Sequence, residues 1–498
     1  MLVIISDLHL TDGTSGATIS AGAFEIFAQE VRDLAVSASW RLDGRYRPIE
    51  RIDLVLLGDV LDCIRSSRWL ARPELRPWGD SSKPEFVGMV NSITTEILRH
   101  NEPSLAMLRN LSVPGQFLVP PANNLGRPVP TAEGVPVPVA AHYLVGNHDW
   151  FYHLPSRELD PLRQTIIRHL GLAHGQPGAF AHDPSETPEL ADILRKHRVL
   201  ARHGDIFDPI NFDGDRKVSS LGDAIVVELL NRFAVQVEHE LAEDLPQSTL
   251  LGLREVDNVR PLLMVPVWID GLLARTCPLP HLQKKVKGVW DELVDQFLSL
   301  AFVRSQRNKG AHDVVDGLEQ VLKFSKRVSI GWASKIVTWL SELRGQQEDS
   351  FYPHALAEPE FRSRRAKYVV YGHTHYAETV PLEASYAEGY PLNQLYFNSG
   401  TWRRALRQTV SAPNEHEFIA SDVMSYLTFF QGDERGGRPF ETWSGTLGLA
   451  PTDVPALRAD RPVVRPAQEV AQPAQTFAPH FATSAAHPRV VPIRRAGR

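Results

Sequence analysis

The stretch VVYGHTHYAE, residues 369–378, places two histidines one residue apart directly behind a run of apolar, β-branched residues. The run is typical of a buried strand, and Gly372 permits a tight turn where that strand would end. His373 and His375 are then either two surface side chains or a pair of metal ligands. The spacing alone favours neither, so the interpretation depends on what the rest of the chain supplies.

Several other short apolar runs have the same form, because each ends in a polar residue of the kind that binds ligands. They are LVIIS (2–6), IDLVLL (52–57), HYLV (142–145), RVLAR (198–202), KYVVY (367–371) and LYFNSGT (395–401). Continuous apolar runs, rather than strict alternation, indicate strands that are buried on both faces. Segments 21–38 and 84–100 have helical periodicity and lie between the early runs. This order of strands and helices predicts an α/β layered core.

The composition narrows the classes of protein. The chain has 498 residues, of which 43% are hydrophobic and 22% charged, the balance of an ordinary globular protein. Its net charge of −6 gives no general attraction to nucleic acid or to anionic membranes. Cys63 and Cys277 are the only cysteines, which argues against a disulfide framework or a cysteine-based zinc site. No segment has the pattern of a signal peptide or a membrane span, so we expect a cytoplasmic protein.

The pattern changes between residues 206 and 365, where long segments have helical periodicity and no convincing strand interrupts them. We predict a discontinuous α/β domain, residues 1–205 and 366–448, that carries this block as a helical insertion or cap. The insertion could serve as a specificity cap, a surface for homo-oligomers or a docking site for a protein partner. Residues 449–498 are rich in Pro, Ala and Arg, which predicts a disordered tail.

Two smaller segments also carry structural expectations. Residues 117–140 contain many prolines and predict a long surface loop. Residues 424–445 predict a hairpin, since two aromatic-rich runs flank a glycine-rich turn.

Clusters of polar residues follow the predicted strands at five places in the sequence. They are Asp7 and His9; Asp59 and Asp62; Asn147, His148 and Asp149; His203 and Asp205; and His373 and His375. Ligands of open α/β sheets bind at the carboxyl ends of the strands, so these distant clusters can meet in one place. Each cluster alone is compatible with ordinary turn chemistry. Five of them in order behind apolar strands indicate a shared site.

The residue types in these clusters predict a metal site. Divalent metals take carboxylate oxygen, amide oxygen and neutral imidazole nitrogen as ligands. Residues two apart on a strand share a face, so Asp7 and His9 can turn toward one ion. A carboxylate such as Asp59 has two oxygens and can bridge two ions. Without cations, grouping Asp7, Asp59 and Asp149 in a partly dry pocket would be costly through repulsion and burial.

In this order the motifs D-x-H, G-D-x-x-D, G-N-H-D, H-G-D and G-H-T-H resemble those of the calcineurin-like metallophosphoesterase superfamily. The resemblance covers the segments around 1–205 and 366–405, and it implies a four-layer α/β/β/α sandwich with a dinuclear metal site. It implies one ion held by Asp7, His9 and His375, a second held by Asn147, His203 and His373, and Asp59 as the bridge between them. It also implies that His148 contacts the phosphate and protonates the leaving group, with Asp149 orienting His148.

The resemblance further implies a hydrolase that cleaves a phosphomonoester or phosphodiester, including nucleotide-type esters, by attack of a hydroxide that bridges two divalent ions. Manganese is the first expectation for these ions, and iron or zinc also suits the ligands.

Other functions stay open at this point. SDLHL, HGD, GHTH and NSGTW are also similar to the UDP-2,3-diacylglucosamine hydrolases, which carry Arg where this chain has His148. A DNA or RNA nuclease of the same superfamily is a second alternative, and a non-catalytic interaction module is a third. Arg65, Arg403 and Arg404 are either phosphate contacts or surface arginines.

Overall fold

The computed structural model of the chain describes residues 1–173, 175, 177–260, 264–307, 319, 322–323, 350–387, 390–411 and 415–449. Of the helical block predicted at 206–365, residues 261–263, 308–318, 320–321 and 324–349 lie outside the described residues, as does the predicted tail from residue 450 onward.

The described helices of the α/β part are α1 (Ala21–Ala38), α2 (Pro84–His100), α3 (Glu102–Leu111), α4 (Asp160–Leu170) and α5 (Pro188–Lys196). The bounds of α1 and α2 match the predicted segments 21–38 and 84–100. Residue periodicity explains α1, because Phe24, Phe27, Val31 and Leu34 recur on one face and are all buried. Pro84 starts α2, at the position in a helix where the missing N–H has no partner to lose.

The described part of the insertion is helical. Its helices are α6 (Leu221–Ile225), α7 (Arg232–Leu241), α8 (Gln247–Leu253), α9 (Val265–Thr276), α10 (Pro280–Ser299), α11 (Ala301–Arg307), α12 (Tyr352–Ala357) and α13 (Pro359–Arg362). A π-helical stretch, Val226–Asn231, joins α6 to α7. No described residue between 206 and 365 lies in a strand. No described helix is long and apolar enough to cross a membrane.

The strands form two larger sheets and one short ladder. They are β1 (Leu2–Ile5), β2 (Ile52–Leu57), β3 (Leu118–Val119), β4 (Val135–Pro136), β5 (Val139–Leu144), β6 (Val199–Ala201), β7 (Tyr368–Tyr371), β8 (Ala377–Ala387), β9 (Tyr390–Ser399), β10 (Arg403–Gln408), β11 (Phe418–Phe429) and β12 (Phe440–Gly448). The first sheet has the order β10-β11-β1-β2-β5, with β12 also paired to β11, and the second has the order β6-β7-β9-β8. β1, β2 and β5 are parallel neighbours, and β6, β7 and β9 are as well.

Side chains on opposite faces of β1 enter different parts of the core. Val3 and Ile5 belong to a hydrophobic cluster that includes Phe24 and Phe27 of α1. Leu2 and Ile4 belong to a second cluster, which contains residues of the second sheet. Successive residues of a strand point to opposite faces, so one face of the first sheet packs on helices and the other on the second sheet. The α/β class predicted from the sequence is confirmed at this level.

Two loop expectations have different outcomes. The hairpin predicted at 424–445 is confirmed, since β11 and β12 pair antiparallel with Phe429 opposite Phe440. The surface loop predicted at 117–140 is wrong in part, because β3 and β4 pair within it and β5 begins at Val139. Proline is tolerated in so short a ladder because the strands are at an edge, where a missing N–H leaves no neighbour unpaired.

Replacing Trp402 tests the packing between α1 and the first sheet. Its ring lies 5.2 Å from that of Phe24 and 5.0 Å from that of Phe27, and its indole N–H donates to the Ser425 carbonyl at 2.6 Å. We expect Trp402→Ala to lower the free energy of unfolding by about 3–5 kcal/mol, because it leaves a cavity in a closely packed core. Chemical denaturation measures this. Leu42→Ala is the control, since Leu42 is 73% exposed, and a loss below about 1 kcal/mol for Trp402→Ala would contradict the packing described.

Candidate metal centre

Each of the five polar clusters lies just beyond the carboxyl end of a strand. Asp7 and His9 follow β1, Asp59 and Asp62 follow β2, residues 147–149 follow β5, His203 and Asp205 follow β6, and His373 and His375 follow β7. Backbone hydrogen bonds join these ends: the Asp7 N–H donates to the Gly58 carbonyl at 3.1 Å, and the Gly372 N–H to the His203 carbonyl at 2.8 Å. The His373 N–H donates to Asp7 Oδ2 at 3.1 Å, which ties the second sheet to the first.

The backbone of this region is strained in an unusual pattern. Positive φ angles occur at Asp7 (56°), His9 (45°), Asp59 (54°), His373 (68°) and His375 (63°), five of the nine described non-glycine residues that have one. The left-handed region costs an L-residue about 1–2 kcal/mol. Such residues cluster at binding and catalytic sites, where the surrounding structure holds them. The strain therefore supports a site at these strand ends.

The first group of possible metal ligands is Asp7, His9 and His375, whose ligand atoms lie within 4.8 Å of one another. The Nε2 atoms of His9 and His375 are 3.0 Å apart, and His375 Nε2 is 3.2 Å from Asp7 Oδ1. His9 Nδ1 faces Asp62 Oδ2 at 2.7 Å, so the Nδ1 proton is donated there and the Nε2 lone pair points into the group. Burial, then the nearby His148, lowers the pKa of His9 well below its usual value, which keeps that ring neutral.

The second group is Asp59, His203 and His373, again with ligand atoms within 4.8 Å of one another. His203 Nδ1 donates to the Leu57 carbonyl at 2.9 Å, which turns Nε2 toward Asp59 Oδ2 at 3.3 Å and Asn147 Oδ1 at 3.2 Å. The amide of Asn147 is oriented in turn, because its Nδ2 donates to Asn211 Oδ1 at 3.3 Å. Three Lewis-basic atoms therefore converge on one point, namely His203 Nε2, Asp59 Oδ2 and Asn147 Oδ1.

The donor set fits divalent cations for a further reason. Asp7 Oδ1 is buried without a hydrogen-bond partner among the described residues, although a buried carboxylate oxygen normally has one. A third overlapping group, His9, Asp59 and His148, places Asp59 between the other two. The structure therefore contains His and Asp groups that could hold metal, as the sequence predicted.

Close approach of the backbone explains two of the glycines. A Cβ on Gly146 would lie 2.3 Å from Asp59 Oδ1 and 2.7 Å from His203 Nε2. A Cβ on Gly58 would lie 2.3 Å from His203 Nδ1, and its φ of 85° also disfavours other residues. Glycine at both positions makes room for the ligand side chains.

The structure gives the orienting role expected of Asp149 to Asp62 instead. His148 Nδ1 lies 2.9 Å from Asp62 Oδ1, while the other oxygen of Asp62 contacts His9. Asp149 is fully buried and turns away from the His148 ring, because its carboxylate accepts hydrogen bonds from Val60 N, Gly146 N and the Tyr143 hydroxyl. Asp149 therefore holds the loop that follows β5 in place, whereas Asp62 orients the imidazoles of His148 and His9 at once.

The insertion also reaches the centre, which the sequence alone did not indicate. Asp208 Oδ2 lies 2.9 Å from His373 Nε2, and Asn211 contacts Asn147 as described above. Both residues lie just after His203 in the chain, at the start of the insertion. The sequence signal for this contact is that a polar residue, Asp208, lies five positions after the predicted ligand His203. That signal is weak.

Arg65 and Arg403 are not surface arginines, since both are at most 3% exposed. Arg65 forms an ion pair with Asp257 of the insertion, and its Nη2 donates to Asn258 Oδ1 at 3.1 Å. Arg403 donates to the Asp257 carbonyl at 2.9 Å. Arg404 pairs with Asp422 at 3.0 Å. The contacts of Arg65 and Arg403 anchor the insertion beside the metal centre, whereas the Arg404 pair joins β10 to β11 within the first sheet. A phosphate contact by these arginines stays a prediction.

The electrostatics of the centre depend on close opposite charges. Burial alone would raise the pKa of Asp59, but the charges of His203 and His148 outweigh it and hold that pKa well below its usual value. Burial alone would lower the pKa of His203, but Asp59 and Asp7 raise it to about 9. A proton on His203 Nε2 and a metal ion would therefore compete for the same position.

No protein-family model matches the chain, and no curated protein matches it either. The function is therefore inferred from the site itself.

Gly146→Ala tests whether the ligand atoms form a metal site. The added methyl group would displace Asp59 and His203 together, so we expect metal affinity to fall at least about tenfold, measured by titration with manganese after chelation. Gly88→Ala is the matched control, because no atom lies within 4 Å of its added Cβ and it lies within α2. Equal metal affinity in the two variants would contradict this assignment.

Proposed function

We propose that this protein is a dinuclear-metal-dependent phosphoesterase of the calcineurin-like superfamily, acting on a phosphomonoester or phosphodiester of a small molecule, including nucleotide-type esters. The observation that carries the proposal is the pair of ligand groups, Asp7-His9-His375 and Asp59-His203-His373, brought together with Asn147 at the ends of five strands. Carboxylate, amide and imidazole donors in this number match two hard or borderline divalent cations, with manganese favoured and iron or zinc as alternatives.

The packing of the sheets supports the four-layer α/β/β/α arrangement that the superfamily implies. One hydrophobic cluster lies between the first sheet and its helices, and a second lies between the two sheets. A third joins Val369 and Tyr371 of β7 to Ala355 of α12 and Phe361 of α13. Three clusters in these positions are what a helix, sheet, sheet and helix order across the core would require.

The roles of the ligands follow from their positions. Asp7, His9 and His375 would hold one ion, and Asn147, His203 and His373 the other, with Asp59 between them. When bound, two such cations supply positive charge to a phosphate and lower the pKa of water toward roughly 7. Asp62 fixes the tautomer of His9, and the Leu57 carbonyl fixes that of His203.

His148 has the geometry of a proton donor to the leaving group. Its side chain is 17% exposed, whereas that of His9 is 1% exposed, so His148 is the one of the two that a substrate can reach. Burial would lower its pKa, but Asp62 and Asp59 raise the pKa of His148 to about 9 in the metal-free chain. With Nδ1 held by Asp62, Nε2 is available to the substrate. Proton donation of this kind contributes about 10²–10⁴ in rate.

The insertion supports a small substrate over a nucleic acid. Asp208 lies against His373, and Asp223, whose charge acts on His148, adds a second carboxylate from the insertion. A continuous phosphate backbone would meet the Asp208 carboxylate, whereas Asp223 is only 2% exposed. The net charge of −6 provides no compensating attraction. The same residues could restrict the size of a single phosphoester, which is the role of a specificity cap.

A substrate panel with metal analysis tests the proposal. Wild type should bind about two manganese ions and hydrolyse p-nitrophenyl phosphate, bis-p-nitrophenyl phosphate or nucleotides. His148→Ala should retain its metal and lose about 10²–10⁴ in kcat, because only proton donation is removed. Asp59→Asn should lose metal and activity together, because the central carboxylate is lost.

The other outcomes discriminate among the alternatives. His239→Ala is the control, since His239 is exposed on α7. Cleavage of single- or double-stranded DNA alone would favour the nuclease, and cleavage of UDP-2,3-diacylglucosamine alone the lipid-precursor hydrolase. Bound metal without activity on any substrate would favour an interaction module. A protein that binds no metal would contradict the proposal.

A further inference from the structure

A second cavity lies at the end of the sheets opposite to the metal centre. Its volume is about 460 Å³, within the range of small-molecule sites, and it is lined by residues that precede β6 and β7 and by the turn between β11 and β12. The proposed metal ligands follow the carboxyl ends of β6 and β7, whereas Lys196, Arg198 and Lys367 of this cavity stand at their amino ends. The two sites are therefore separated by the length of the strands.

Positive charge dominates the lining of this cavity. Lys196, Arg198 and Lys367 all line it, and no Asp or Glu is among its lining residues. Burial and the charge of Arg198 together lower the pKa of Lys367, so the ammonium group is partly dry and faces a like charge. The Arg198 guanidinium has a neutral partner, the Arg364 carbonyl, at 3.0 Å. An anion in the cavity would relieve this repulsion.

The residues that line the cavity include two aromatic side chains and two that have a buried polar atom. Tyr368 and Phe430 are 3% and 7% exposed. Lys367 Nζ lies 5.4 Å from the centre of the Tyr368 ring. The Tyr368 hydroxyl and His197 Nε2 are buried with no hydrogen-bond partner among the described residues, an arrangement that normally has an explanation. His197 Nδ1 lies 2.9 Å from the Ile193 carbonyl, which leaves Nε2 as the free position of that ring.

Helix stabilisation accounts for only one of these cations. Lys196 is in the last turn of α5, where a positive charge interacts favourably with the helix dipole. Arg198 lies beyond the helix with a left-handed φ of 56°, and Lys367 comes from a distant part of the chain. Their convergence on one cavity needs a different reason.

We propose that this cavity binds a small phosphate-bearing molecule, with the phosphate groups among Lys196, Arg198 and Lys367 and an apolar or aromatic portion against Tyr368 and Phe430. Three cations suit a group that carries two or more negative charges better than a single carboxylate. The volume exceeds what a lone phosphate ion fills, and the aromatic wall suits the ring of a nucleotide. The ligand binds apart from the metal centre, so this site does not depend on the proposed phosphoesterase activity.

Isothermal titration of the full-length chain with ADP, in the presence of EDTA, tests the proposal. EDTA keeps metal from the strand-end site, so the remaining ADP binding reports the second cavity. Wild type should bind one ADP, and binding should weaken as salt concentration rises. Lys367→Met keeps most of the side-chain stem and removes the charge, and it should weaken binding at least about tenfold, equivalent to about 1.4 kcal/mol. Lys285→Met is the matched control, because Lys285 is a surface residue of α10 paired with Asp244.

Every other outcome counts against the proposal. Absence of ADP binding at millimolar concentration, or equal binding by wild type and Lys367→Met, would overturn it. Binding of a short oligonucleotide in place of ADP, lost in Lys367→Met, would overturn the small-molecule assignment. Far-UV circular dichroism of Lys367→Met should match that of wild type, and Arg198→Met provides a second variant if it does not.

Discussion

Buried carboxylates accumulate at one edge of the sheets, and the backbone and side chains around them are arranged to compensate their charge. Asp7, Asp59 and Asp62 are each at most 1% exposed and lie within one network of contacts. Such a group is unfavourable unless positive charge or hydrogen bonds compensate it. The surrounding imidazoles, the backbone N–H groups and the left-handed turns all serve to place compensating atoms at fixed positions. The local backbone is strained, and the strain is sustained because the well-packed sheets beneath it are rigid.

The insertion is held to this edge by charge as well as by packing. Arg65 and Arg403 approach Asp257 and Asn258 from two different strand ends, and burial lowers the pKa of each, to about 9 for Arg65 and to about 10 for Arg403. Removing one partner of a buried ion pair is strongly destabilising because the other charge stays buried. The insertion therefore has a defined position beside the candidate metal centre, and the chain from His203 through Asn211 contributes to both.

Sequence patterns predicted the framework well and the finer contacts poorly. Apolar runs predicted β1, β2, β5, β6, β7 and β9, and the aromatic-rich hairpin pattern predicted β11 and β12, whereas β8 and β10 were not predicted. Helical periodicity predicted α1 and α2 with their bounds, since burial patterns repeat locally. The orienting role of Asp62 was missed because the direction of its side chain depends on the strained turn after β2, which spacing does not encode. The burial of Arg65 and Arg403 was missed because their partner, Asp257, is distant in sequence. The short β3–β4 ladder lay within a proline-rich run that propensity assigns to loops.

The pairing of β1 bears on how the chain acquires its structure during synthesis. One side of β1 pairs with β2, close in sequence, but the other side pairs with β11, where Leu2 lies opposite Phe429. The second sheet has a similar requirement, because β6 pairs with β7 only after the whole insertion has been made. Contacts of such long sequence separation form slowly. One edge of β1 therefore stays open during synthesis until β11 has been made, and an open strand edge is a site at which aggregation can begin.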